Sequence, residues 1–183
     1  GSEMTAEGLR NGDALALQVN SGVALSYDEV NPYVFAEPTS PHIVSADEGR
    51  PIDAARLSDG LRRLEQRADW VLVEGAGGWF TPLSAEYTFA DWVQQEQLPV
   101  ILVVGIKLGC VSHALLTAQS IINDGLPLLG WVANRINPGL AHYAETIAAL
   151  QQRIPAPLLG EIPYLPRAEQ RELAHYLDIS TLL

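Results

Sequence analysis

Four short apolar runs punctuate the chain: Trp70 to Val73, Val100 to Val104, Leu128 to Ala133 and Leu158 to Ile162, beginning about 29 residues apart. Each is too short for a helix and, Glu161 in the last run apart, apolar rather than alternating, which predicts strands buried on both faces of a parallel sheet. The intervals between them carry helical stripes. Leu57, Leu61, Leu64 and Ala68 fall at i, i+4, i+7 and i+11, leaving Arg62, Arg63, Glu65 and Gln66 for the solvent side. Ser112 is placed to cap a second helix carrying Leu115, Leu116, Ala118, Ile121 and Ile122 and closed by Gly125, while Tyr143, Ile147 and Leu150 mark a third. Strand, crossover helix and strand at this spacing make a βαβ unit. The pattern therefore predicts an α/β fold, an open and mostly parallel sheet with helices on both faces. No linker or low-complexity tract interrupts it, so residues 1–183 are expected to form a single domain. Residues 31–51, with Pro32, Pro38, Pro41 and Pro51 and the apolar anchors Tyr33, Phe35 and Ile43, predict an ordered irregular loop. The opening Gly1-Ser2-Glu3-Met4 is polar, with no strand or helix signal before it.

Charge narrows the partners. Eleven Lys and Arg against 22 Asp and Glu give a net charge of −11, which repels nucleic-acid backbones and anionic membrane surfaces. The single Cys110 excludes an internal disulfide and any multi-cysteine zinc site, which fits a reducing compartment, and the cytoplasm is the expected location. No apolar run reaches the ~18 residues that span a bilayer.

The strand ends hold the candidate chemistry. Trp70-Val71-Leu72-Val73-Glu74-Gly75-Ala76-Gly77-Gly78 ends an apolar run in a carboxylate and a glycine-rich turn. In parallel sheets ligands bind beyond the carboxyl ends of strands, so Glu74 is placed for Mg²⁺ or substrate, and the glycines let backbone N–H groups approach phosphate oxygens. The plainer alternative is a chain turn with Glu74 on a solvated rim. Val104 to Cys110 runs through Gly105, Lys107 and Gly109 into the predicted second helix, where backbone donors and the helix dipole favour an anion; a polar crossover with a solvated lysine explains it equally. Asn134 can read a purine edge or satisfy its own turn. Pro163-Tyr164-Leu165 offers a ring to stack on a base, or a simple chain exit. Asp13 sits at the start of a short helix, where a carboxylate favours the dipole. The histidines His42, His113, His142 and His175 lack metal-helix spacing, Cys110 has no conspicuous partner base, and no G-x-S-x-G elbow exists. The phosphate loop G-x-x-x-x-G-K-[ST] does not occur in these residues.

These blocks resemble one family, the ATP-dependent dethiobiotin synthetases. The resemblance runs through Glu7 to Asn11, Asp13 to Gln18, Phe35 to His42, Val73 to Leu83, Lys107 to Cys110, Gly130 to Asn134 and Pro155 to Pro163. It implies a P-loop-type α/β homodimer that joins 7,8-diaminononanoate and CO₂ with ATP and Mg²⁺, through a phosphorylated carbamate. By that resemblance Asp13 and Glu74 are Mg²⁺ and phosphate-side carboxylates, which outweighs the dipole reading of Asp13. Gly75, Ala76 and Gly77 turn around the ATP phosphates, and Asn134, Arg135, Pro163, Tyr164, Leu165 and Gln170 belong to the adenine pocket. Gln170 stands where the enterobacterial pattern has Glu, and Arg135 where it has Asp. Ser40 and the backbone from Leu108 through Gly109, Cys110 and Val111 to Ser112 contact the diamino acid, the latter group across the dimer. The family begins with a strand, a phosphate loop bearing Lys and Thr, a helix, and a second strand with a catalytic lysine and a substrate serine. None of these is in residues 1–183, so at least one strand-loop-helix unit, roughly 30 residues or more, is expected to be absent and this chain alone to be inactive. The alternative function is a non-enzymatic nucleotide-binding or partner module on the same sheet, related to partition-type and cobyrinate amidating proteins.

Overall fold

Unequal strands support the two halves of the computed structural model, which describes residues 2–167 and 171–182. The chain divides into two compact units, Gly1–Glu96 and Gln97–Leu183.

The second unit holds the parallel sheet. β3 (Val100–Ile106), β4 (Leu128–Arg135) and β5 (Leu158–Ile162) lie in the order β3-β4-β5, all parallel. Three of the four predicted runs are thus strands, β3 and β4 each extending two residues further. The middle strand is the most buried, with Gly130 to Ala133 all buried, because among the described strands of this sheet it alone has a strand on both edges. Helix α6 (Cys110–Asn123) joins β3 to β4, and α7 (Tyr143–Arg153) joins β4 to β5. Successive crossovers stepping the same way across a sheet carry their helices to the same side. Accordingly Cys110, Ala114 and Ala118 of α6 and Ile147 and Leu150 of α7 share one core with Val104, Ile106, Trp131 and Ala133. Fully burying side chains the size of Val104, Ile106, Ile147 and Leu150 contributes about 1.5–3 kcal/mol each. Gly125 closes α6 at φ +78°, as expected of a glycine just past a helix. Its start differs from expectation: Gly109, at φ +86°, occupies the N-cap, and Ser112 lies inside the first turn. A left-handed residue is needed to turn the exit of β3 into the helix, which Gly allows at no steric cost and Ser does not.

The first unit opens with an antiparallel hairpin, β1 (Ser2–Thr5) and β2 (Gly8–Asn11). The polar start concealed it, since its bonds run between strands and it buries no apolar face. Gly8 at φ +104° makes the turn, closed by the Thr5 hydroxyl donating to the Gly8 carbonyl at 2.8 Å. Five helices follow: α1 (Gly12–Asn20), α2 (Tyr27–Val30), α3 (Pro41–Asp47), α4 (Ala54–Glu65) and α5 (Phe89–Gln95). The expected irregular loop at 31–51 is therefore corrected at its centre. Pro41 sits at the first turn of α3, where its missing N–H is no loss. Around α4 and α5, the Trp92 indole donates to Ser58 at 3.1 Å, the Ser58 hydroxyl donates to Glu96 at 2.6 Å, and Arg62 pairs with Glu96.

The run Trp70 to Val73 is not a strand. No ladder bonds reach it, and Trp70 and Leu72 are 58% and 74% exposed. Its pattern suits burial between two neighbours, but among the described residues no neighbouring strand pairs with it, and a strand exists only through such bonds.

Candidate functional site

Within the first unit, Asp13 is positioned by the start of α1. Asn11 caps that helix, its side-chain oxygen accepting from Asp13 N at 2.9 Å and Ala14 N at 3.2 Å, and Asp13 projects exposed from the first turn. Asn11 is held in turn, its N–H donating to the buried Tyr27 hydroxyl at 2.7 Å. Glu74, at the end of the unpaired run, feels Asp13. Its carboxyl is pushed above the usual range, first by the protein packed around it and then by the Asp13 charge, even though the side chain reaches solvent. Two carboxylates that repel each other while open to solvent are suited to a hard divalent cation. Mg²⁺ is typically held by one or two carboxylates, with waters and phosphate oxygens completing its shell. Among the described residues no group of three or more metal-ligating side chains exists, so this pair fits that sparse manner of binding and not an all-protein cage.

The glycine turn beyond Glu74 is tightly seated. A Cβ at Gly75 would lie 2.7 Å from the Phe89 ring, and one at Gly77, whose φ is +84°, would lie 2.5 Å from the Thr81 hydroxyl. That hydroxyl accepts from Gly78 N at 2.8 Å, while Thr81 N donates to the Gly78 carbonyl at 3.0 Å. Thr81 and Phe89 brace the loop from behind, a role that its sequence signature did not announce. Ser40 stands at the N-cap position of the short α3 without a side-chain capping bond, and its hydroxyl lies 2.9 Å from His42 Nδ1. His42 also borders an open cleft of about 260 Å³ whose walls include Pro51, Ile52 and Leu83.

In the second unit the parallel order brings three predicted segments to one edge. Gly105 pairs with Asn134 and Asn134 with Ile162. The segments Lys107 to Ser112, Asn134 to Arg135 and Pro163 to Leu165 therefore all leave the carboxyl end of the sheet, where ligands bind in this class of fold. Leu108 is 94% exposed and Cys110 is buried, with Cys110 N donating to the Lys107 carbonyl at 3.0 Å. Tyr164 is 42% exposed, its ring accessible. Arg135 rests over the Tyr143 ring, and Tyr143 donates to Glu161, contacts that the sequence did not suggest. Gln170 lies outside the described residues.

The parallel three-stranded sheet with helical crossovers places the chain in the α/β class. A family model described as an AAA domain matches residues 3–172. Over its full length the chain is 74% identical to the ATP-dependent dethiobiotin synthetase of Serratia marcescens, covering 81% of that protein. It is 67% identical to the corresponding protein of Salmonella typhimurium and 64% to that of Escherichia coli K12, covering 80% and 81% of them. The chain belongs to the ATP-dependent dethiobiotin synthetase family. Among the described residues no helix is long and apolar enough to cross a membrane.

Proposed function

We propose that the protein closes the cyclic urea of dethiobiotin from 7,8-diaminononanoate and CO₂ at the expense of ATP, as a cytoplasmic homodimer. The observation that carries this reading is the 74% identity of the whole chain to a dethiobiotin synthetase, with Glu74 set before a glycine turn braced by Thr81 and Phe89.

The chemistry runs in three balanced steps. An amine of the substrate attacks CO₂ and loses a proton to become a carbamate, and a carbamate oxygen then attacks the γ-phosphorus of ATP, breaking the bond to the ADP oxygen. The second amine then attacks the carbamoyl carbon, the carbon–oxygen bond to phosphate breaks, and the nitrogen loses its proton. Asp13 and Glu74 would hold Mg²⁺, which when bound neutralises charge developing on the phosphate oxygens. Gly75 and Gly77, which carry no side chain, let the backbone of the turn from Gly75 through Ala76 to Gly77 approach the phosphates. Asn134 and Pro163 to Leu165 hold the adenine at the sheet edge. Ser40 orients the diamine, and the start of α6 from Leu108 to Ser112 presents backbone N–H groups to the substrate carboxylate from the partner copy. The cleft beside His42 offers apolar walls to the aliphatic chain of the substrate.

The phosphate-loop motif and its lysine are not among residues 1–183. Residues 1–183 alone are therefore expected not to turn over, because charge on the transferred phosphoryl group lacks a main stabiliser. The deciding experiment assays the protein as its gene encodes it with 7,8-diaminononanoate, bicarbonate, ATP and Mg²⁺. Formation of dethiobiotin, strongly reduced in Glu74→Gln, is the expected result. Absence of product with an intact fold overturns the proposal, and calorimetric binding of ATP without any binding of the diamine would then indicate a nucleotide-binding module.

A further inference from the structure

Arg135 ends β4 one residue beyond Asn134, opposite Ile106 of β3. Its guanidinium turns back onto its own unit. One terminal nitrogen, Nη2, donates to the Pro138 carbonyl at 3.0 Å, and the guanidinium carbon lies 5.0 Å from the centre of the Tyr143 ring. Tyr143 opens α7, and its hydroxyl donates to Glu161 Oε2 at 3.0 Å. Glu161 belongs to β5, opposite Ala133 of β4. One series of contacts thus ties together the end of β4, the connection 136–142, the first turn of α7 and the exit of β5.

Each joint has a physical basis. A planar cation over an aromatic face is attracted by the ring quadrupole. The Tyr143 hydroxyl is pushed up to about 12 by burial, with the hydrogen bond to Glu161 acting in the same direction, so at neutral pH it stays protonated and remains the donor. Among the described residues the buried Arg135 Nε has no hydrogen-bond partner, which costs free energy. The guanidinium is therefore held here by the ring and the carbonyl, not by Nε.

We propose that Arg135 is a positioning residue for the nucleotide base: by pinning the connection 136–142 against Tyr143 and β5, it holds the Asn134 amide in its base-binding orientation without touching the base. This rests on the assignment of Asn134 to the adenine pocket. The strut lies on the nucleotide side of the site and shares no residue with the diamine contacts, so it should act on one substrate alone.

The test uses the gene-encoded protein and its Arg135→Met, Arg135→Lys, Tyr143→Phe and Asn134→Ala variants. Arg135→Met is expected to raise the KM for ATP about tenfold, while kcat and the KM for 7,8-diaminononanoate each change by less than about twofold. Arg135→Lys, which keeps the cation over the ring, should recover most of that loss. Tyr143→Phe should give about a threefold rise and keeps the test open if Arg135→Met does not fold. Amide exchange across 136–142 should accelerate in Arg135→Met and stay unchanged in β3. Faster exchange with an unaltered KM for ATP overturns the proposal, as does an equal rise in both KM values. A raised KM with unchanged exchange also overturns it, by indicating direct contact with the base. An unaltered KM for ATP in Asn134→Ala instead removes the assignment of the adenine pocket on which the inference stands.

Discussion

Trp70-Val71-Leu72-Val73 and Val100-Ile101-Leu102-Val103 are nearly interchangeable as patterns, yet one lies unpaired and exposed while the other is an edge strand of a parallel sheet. The difference teaches that an apolar run specifies only a capacity for burial. Whether it becomes a strand depends on a neighbour whose N–H and C=O groups face it, and β4 supplies that neighbour to Val100–Ile106. The same contrast divides the candidate site. The sheet edge of the second unit is set by ladder registers, whereas Glu74 and its glycine turn are held by side chains, Thr81 and Phe89, behind the loop.

The comparison is broken most forcefully by truncating apolar residues in each region. Trp131 is fully buried in β4, and Trp131→Ala should cost about 3–5 kcal/mol, read as a fall in the urea midpoint followed by circular dichroism. In residues 1–183 alone, Leu72→Ala, at a site 74% exposed, should move the midpoint by less than about 0.5 kcal/mol. A large loss at Leu72 would show that the unpaired run is covered in solution. Trp131→Phe sharpens the contrast, because the Trp131 indole N–H is buried without a partner. Deleting an unsatisfied donor offsets part of the lost packing, so its cost should fall well below that of the Ala variant.

A middle-sized effect separates the two glycine loops. Gly75→Ala drives a methyl group to 2.7 Å from the Phe89 ring, which itself packs on Trp92 with centroids 5.6 Å apart, so the ring cannot simply swing away. About 1–3 kcal/mol is expected. Gly109→Ala meets no atom within 4 Å and carries only the strain of φ +86°, about 1 kcal/mol. If the two variants melt together, the seating of the first loop is not steric.

The smallest effect is one of pH. Burial first, and Asp13 second, raise the Glu74 pKa in the fold. A raised carboxyl pKa favours the protonated folded state, so this stabilising contribution is present below the unfolded value and lost as pH rises through the folded one. Relative to Glu74→Gln, the wild-type protein should gain stability on acidification across that window, and Asp13→Asn should narrow the gap by removing the like charge. Midpoints in urea as a function of pH test this, and an identical pH profile for wild type and Glu74→Gln would contradict it.

Much of this was legible in the residues. Val100 to Val104, Leu128 to Ala133 and Leu158 to Ile162 announced themselves as strands by their apolar residues, α7 by its stripe, and the place of Asp13 at a helix start was likewise legible. The hairpin at Ser2–Asn11 was not legible, because its bonds are between strands and its side chains are mostly wet. Nor were the Arg135, Tyr143 and Glu161 contacts, whose partners are separated by 8 and 18 residues. Local pattern and turn chemistry depend on nearest neighbours in the chain, so the sequence by itself determined which segments could become strands and helices, the acidic charge, and the family. Pairing, register and the seating of the glycine turn are non-local. Tertiary structure alone decided that Gly105, Asn134 and Ile162 share one sheet edge, that Trp70 to Val73 lacks a ladder, and that Thr81 and Phe89 leave no room for a side chain at Gly77 and Gly75.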